Sequence, residues 1–119
     1  MSNPRYLPRS FVLPPRDFGR RQRAEWRKPD STWSQKEVAQ LDAAQLQHQV
    51  AYGVLEEFLP TSEIRTITAL AERLDMPYPR VQRMLNGQTV MQLEDIGHLR
   101  RLLGAALVDS WISNATTYT

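Results

Sequence analysis

Tyr78, Arg80, Gln82 and Arg83 bring a phenol, an amide and two guanidiniums into one short stretch of chain. Groups of this kind reach phosphate oxygens and base edges. A guanidinium matches O6 and N7 of guanine bidentately, so Arg83 suits guanine, and a tyrosine ring can also touch a thymine methyl. These side chains can act together only if a helix presents them on one exposed face.

The stretch Thr66 to Gly87 supplies such a helix. Its first helix reads as Ile67 to Leu74, with Leu70 and Leu74 four apart and Ala71 beside them on the inner face. Asp75-Met76-Pro77 forms the turn. A second helix runs from about Pro79 to Leu85 and stops at Asn86-Gly87, a helix C-terminal signal. Two helices crossing steeply over a short turn need a small residue at their closest approach, and Ala71 falls there. Met76, Val81 and Met84 are the apolar residues expected to lock the second helix down.

With those residues in view, Ala69 to Gly87 resembles the helix-turn-helix of the lambda-repressor-like, Cro-type (Xre) DNA-binding proteins. The match is carried by Leu70-Ala71-Glu72-Arg73-Leu74, then Met76, Val81, Arg83, Met84, Asn86 and Gly87. Leu93-Glu94-Asp95-Ile96 through Leu102-Leu103-Gly104 is similar to the family's next helix. The likeness extends over roughly residues 45 to 107, about half the chain. Two departures stand out. Asp75 replaces the family's turn glycine, and Asp tolerates the left-handed conformation better than most residues. Pro77-Tyr78-Pro79 replaces a Ser or Thr cap. Because Pro79 disfavours helical geometry in the residue before it, the expected start is Pro79, with Tyr78 as cap.

The resemblance implies an all-α, lambda-repressor-like bundle of about five helices, with an extended Pro/Arg-rich N-terminal arm. It implies a second helix in the major groove, with Tyr78, Gln82 and Arg83 reading bases. Thr68, Arg80, Asn86 and Gln88 would contact phosphates, fixing register rather than reading sequence. For Arg80 and Arg83 the alternative is a solvated helix face or a pair with Glu72. It further implies a homodimer on two half-sites of double-stranded DNA and a transcription regulator of repressor type, as in phage or small operons. Two other readings stay open. One is an antitoxin-type autoregulator whose arm binds a toxin. The other is a protein-interaction module that keeps the helix-turn-helix without touching DNA.

The chain has 119 residues, enough for one domain with a core. It lacks cysteine, which excludes disulfides, thiolate metal sites and cysteine nucleophiles. No apolar run reaches membrane-span length, so no membrane partner is expected. No basic-then-apolar leader opens the chain, so a cytoplasmic location is expected. Arginine far outnumbers lysine, a composition that hints at a GC-rich bacterial or phage genome. Residues 1 to 30 hold seven Arg and one Lys against Asp17, Glu25 and Asp30, a balance of +5. Residues 31 to 119 hold seven basic and ten acidic groups, a balance of −3. Such asymmetry suggests a basic arm before a slightly acidic body.

Residues 1–33 read as that arm. Prolines at 4, 8, 14, 15 and 29 break every helical or alternating period. Arg20, Arg21, Arg23, Arg27 and Lys28 are its candidate nucleic-acid contacts; a solvated tail is the alternative. Its apolar residues argue against a purely solvated tail, since some could pack on the body.

Residues 34–119 form the helical domain, with the helix-turn-helix at 66–87. Ser34 and Glu37 make a capping box, and a helical segment follows as far as Leu59, before Pro60. Gln45 to Gln49 interrupts its apolar positions, so two separate helices are one expectation. Leu93, Ile96, Leu99, Leu102 and Leu103 form the expected buried stripe of the next helix. A last helix over about Ala105 to Ser113 aligns Leu103, Leu107 and Trp111, with Val108 and Ile112 alongside. His48 and His98 lack partners at metal-ligand spacing, and Glu56-Glu57 and Glu94-Asp95 diverge by about 100° on their helices. No phosphate loop, nucleophile elbow or glycine fingerprint is present. Neither an enzyme nor a cofactor is expected.

Overall fold

Ser34 opens the first long helix as its sequence demands. Its Oγ accepts from the Glu37 N–H at 3.0 Å, and the Glu37 carboxylate accepts from the Ser34 N–H at 2.9 Å. In the computed structural model, which describes residues 6–117 and the side chains as far as 115, α1 (Gln35–Tyr52) continues without a break into a π-helical stretch, Gly53–Phe58. A 3-10 turn, Leu59–Thr61, ends it at the proline. The widened stretch begins at a close approach: a Cβ on Gly53 would lie 2.1 Å from the Trp111 ring. Only glycine lets the two chain segments meet there.

The break expected at Gln45–Gln49 does not occur. Gln47, His48 and Gln49 point inward and serve distant backbone groups. Gln47 Nε2 donates to the carbonyls of Met84 and Thr89, both at 2.8 Å, and its Oε1 accepts from the Met91 N–H at 2.8 Å. His48 Nδ1 accepts from the Gly19 N–H at 2.9 Å, and Gln49 Nε2 donates to the Gln22 carbonyl at 3.3 Å. Buried backbone groups outside regular structure need such partners.

Next come α2 (Ile67–Leu74) and α3 (Tyr78–Leu85). Thr66 caps α2, its Oγ1 accepting from the Ala69 N–H at 3.1 Å. Asp75 takes the left-handed conformation at φ 55, ψ 46, as the turn requires. Helix α3 starts one residue earlier than expected, with Pro77 rather than Tyr78 as its N-cap. Pro77 and Pro79 have no N–H, so they remove two of the donors that a helix start leaves orphaned. The Pro77 carbonyl accepts from Arg80 and Val81 at 3.1 and 3.2 Å. Helix α4 (Leu93–Leu103) ends at Gly104, and α5 (Ala105–Thr117) runs beyond the expected Ser113. Helix α5 packs on α1 and α4, and α2 packs on α3 and α4.

The described residues are thus all-α. They form no strand, and one isolated antiparallel bridge pairs Val12 with Trp26. No helix among them is long and apolar enough to cross a membrane. Val50, Val54, Leu70, Val81, Met84, Leu85, Leu99, Val108 and Trp111 build the core. Leu93 leaves the expected α4 stripe: as the first helical residue it projects past the body and is 86% exposed. Leu107 is also exposed, and Val108 and Trp111 carry the α5 contact instead.

Residues 6–33 do not stand off as an arm; residues 1–5 lie outside the described part. Two proline-led 3-10 turns, Pro8–Phe11 and Pro15–Asp17, fold the segment back. Backbone bonds Leu13 N–H to Glu25 O and Arg27 N–H to Phe11 O, both 2.8 Å, tie it to itself. Val12 and Phe18 enter the main core, and Phe11 joins Leu41 and Ala44 in a second cluster. Single aromatic anchors hold this segment, so it carries no period. Phe18→Ala should therefore lower unfolding free energy by about 3–5 kcal/mol, the cost of emptying a buried aromatic site. Denaturant melts measure it, and a freely solvated segment would register no change.

His48 gives a second expectation. Burial pushes its pKa below the ordinary value of 6.5. The Gly19 N–H aimed at Nδ1 keeps that nitrogen an acceptor, which an imidazolium cannot be. The unfolded chain therefore binds the proton more readily than the fold does. His48's contribution is whole above pH 6.5 and is lost progressively as pH falls below it. Urea midpoints should fall between about pH 7.5 and 5. In His48→Asn, which keeps an acceptor but does not titrate, that slope should flatten.

Candidate functional site

Helix α3 has two faces with different fates. Val81, Met84 and Leu85 are buried against the body, while Gln82 and Arg83 are exposed and Tyr78 is 40% exposed. Tyr78 and Gln82 lie four apart and stack on one stripe, and Arg83 sits on the flank of that stripe. All three expected base-reading residues are thus exposed on α3. Among the described residues no carboxylate pairs with Arg83, so the alternative pairing with Glu72 is not found.

Arg80 is engaged within the molecule. Its guanidinium donates to Asp95 Oδ2 at 2.7 Å, and the same oxygen accepts from the Gln92 N–H at 2.8 Å. Asp95 is buried at 4% exposure. The pair bolts α3 to the first turn of α4, and the charge expected on a phosphate is already neutralised. The sequence signal was the acid in the first turn of α4, a favoured place near a helix N-terminus. Nothing local indicated that its partner would be Arg80.

The other expected phosphate contacts divide. Thr68 is exposed on α2 and shares a groove of about 660 Å³ with Glu72, Asp75 and Tyr78. Gln88 is exposed. Its N–H donates to Arg83 O at 2.9 Å and to Asn86 Oδ1 at 3.2 Å. Half-buried Asn86 thus shapes the turn after α3 with its side-chain oxygen. Gly87 completes that turn at φ +79, where a Cβ would come within 2.8 Å of the Phe18 ring.

The five basic residues expected on an arm differ in their surroundings. Arg20 pairs with Glu56 at 3.0 Å, and Arg21 reaches Asp17 at 3.4 Å. The Arg27 guanidinium lies 5.0 Å from the Trp33 ring centroid. Arg23 and Lys28 are exposed. His48 is enclosed by Phe18 and Trp26 at ring-centroid distances of 5.4 and 5.3 Å. No group of three or more metal-ligating side chains occurs among the described residues.

Sequence reasoning missed the α1 polar side chains that position this surface. Gln47 holds the end of α3 and the following loop from inside. Its local signal was a gap in the apolar pattern, which points equally to a surface loop. Arg80→Ala should cost about 1–3 kcal/mol in urea unfolding, because it strips a buried carboxylate of its charged partner. Arg80→Lys should recover part of that loss.

Comparison with protein-family models, with curated proteins and with solved structures returns no match for this chain.

Proposed function

We propose that this chain binds double-stranded DNA sequence-specifically, as a transcriptional repressor of the lambda-repressor-like, Cro type. The supporting observation is the division of α3: one face is bolted into the body, and Tyr78, Gln82 and Arg83 stand clear on the other. On this reading α2, the Asp75 turn and α3 form the helix-turn-helix of a five-helix, lambda-repressor-like domain. The start of α3 enters the major groove. Arg83 takes guanine O6 and N7, Gln82 reads a neighbouring base, and Tyr78 touches a thymine methyl or an edge acceptor. Thr68, Asn86 and Gln88 fix register on the phosphates. Arg80 acts only by holding α3.

An eight-residue helix reads few base pairs. Two copies on a two-fold operator, one helical turn apart, supply the rest, so the reading includes a homodimer. Its place is the cytoplasm, where the duplex is.

An alternative use of the same surface is a protein contact. Glu72 and Asp75 line the groove beside Tyr78, and neither has an ion pair among the described residues. Two free carboxylates there suit a basic peptide better than a phosphate. The antitoxin reading loses its premise, since an arm that orders on a toxin cannot also supply Phe11, Val12 and Phe18 to the core.

Selection of bound duplexes from a random pool, followed by footprinting, decides between DNA and protein. An enriched two-fold site supports the proposal; no enrichment favours the protein contact. On the selected site Arg83→Ala should cost about 1–3 kcal/mol and relax preference at one base pair per half-site. Unchanged preference would remove Arg83 as a reader.

A further inference from the structure

On the flank of α2 away from the groove that Tyr78 lines, α2 and α4 meet along a seam. Arg73 from α2 and His98 and Arg101 from α4 line one depression there, of about 240 Å³, with Leu74 and Leu102. All three basic side chains are exposed. Among the described residues none of them has an ion pair or a hydrogen-bonded partner. Four other arginines are matched with carboxylates: Arg20 with Glu56, Arg21 with Asp17, Arg80 with Asp95 and Arg100 with Asp109. Asp95, one turn before His98, is already held by Arg80, and Glu94, four before His98, does not line the depression.

Each arginine alone is unremarked, since cations are favoured in the last turn of a helix. That preference does not explain why the last turns of two helices each place an arginine on one depression whose lining holds no carboxylate. Like charges so placed repel, and an anion between them removes the repulsion. The depression is smaller than the pockets that take drug-sized ligands, typically about 300–1,000 Å³. It has room for an oxyanion group. Two forked donors and an imidazole match the several acceptor oxygens of a phosphate.

We propose that Arg73, His98 and Arg101 form a binding site for a phosphate group. The group is either free inorganic phosphate or a phosphate monoester. The site is separate from the α3 surface, and its test uses no duplex, so it stands or falls independently of the DNA reading.

The test is a titration of the intact chain with sodium phosphate at constant ionic strength, with chloride as the replaced anion. The Nε–H resonances of Arg73 and Arg101 are followed in ¹H–¹⁵N spectra. Saturable shifts at both are expected. In the double variant R73Q/R101Q the remaining protein shifts should show affinity reduced about tenfold or more, as loss of charge-assisted bonds requires. R73K, which keeps charge but not the fork, should fall between. Both positions are exposed, so the double variant should melt in chloride no lower than the parent. If it does not fold, the single variants R73Q and R101Q carry the comparison, each expected to bind more weakly than the parent. A parallel titration with phenyl phosphate distinguishes the source: tighter binding than inorganic phosphate indicates a monoester, and equal or weaker binding indicates the free anion. Shifts that grow without saturating, or equal affinity in parent and glutamine variants, overturn the proposal.

Discussion

The backbone around Gly19 to Gln22, and that from Met84 to Met91, is packed against α1 without a sheet ladder to satisfy it. Three successive side chains of α1 take up that burden. Consecutive helical positions diverge by about 100°, so Gln47, His48 and Gln49 fan out rather than stack. Gln47 turns towards the end of α3 and the loop beyond it, while His48 and Gln49 turn towards the N-terminal segment. An unsatisfied buried donor or acceptor costs about 1–3 kcal/mol, so these contacts are worth most where they prevent that loss. Among the described side chains no buried polar atom lacks a partner. The layer therefore sets the spacing between α1, α3 and the segment that wraps them.

That spacing matters because α3 cannot hold itself together. Eight residues with two prolines at the start are far below the length at which an isolated helix persists in water. Its shape comes from outside: Val81, Met84 and Leu85 in the core, Asp95 on Arg80, and Gln47 on the Met84 carbonyl. The N-terminal segment adds a further brace. Arg9 donates its N–H to the Gly87 carbonyl at 3.0 Å, and Phe18 packs against Gly87. A stretch whose charge suggested an outward reach is thus a buttress behind the exposed face of α3. Its aromatic residues, not its arginines, perform that work.

Signals that act over one or two turns were legible in the sequence. The Ser34–Glu37 capping box, the bounds of α2 and α4, the left-handed Asp75 and the buried Ala71 all follow from neighbours within a few residues. Signals that depend on distant partners were not. Gln47 looks like an interruption until the Met84 and Thr89 carbonyls, 37 and 42 residues away, are beside it. Arg80 looks like a free cation until Asp95 is placed beneath it. The N-terminal segment defeats period-based reading because its anchors are single residues joined by proline-led turns. On α3 the outward direction of Gln82 and Arg83 was legible, since it follows from burying Val81 and Met84.

Charge placement constrains what the proposed site can do. Had the N-terminal segment projected as a free basic arm, phosphate attraction would have supplied affinity with little regard to sequence, as counterion release does for strongly basic proteins. Here Arg20, Arg21 and Arg80 are matched within the molecule, and the groove beside Tyr78 carries Glu72 and Asp75. Arg83 is left as the guanidinium on the outward stripe of α3. A duplex held by such a surface is held by fit to base edges more than by field strength. On the proposed reading one copy would bind weakly and discriminate well, and affinity would come from joining two copies on one operator. The effective concentration of the second half-site would supply it without any new contact. Weak attraction and paired reading would then share one cause: a chain that uses its N-terminal segment to brace α3 does not hold that segment out as a free basic arm.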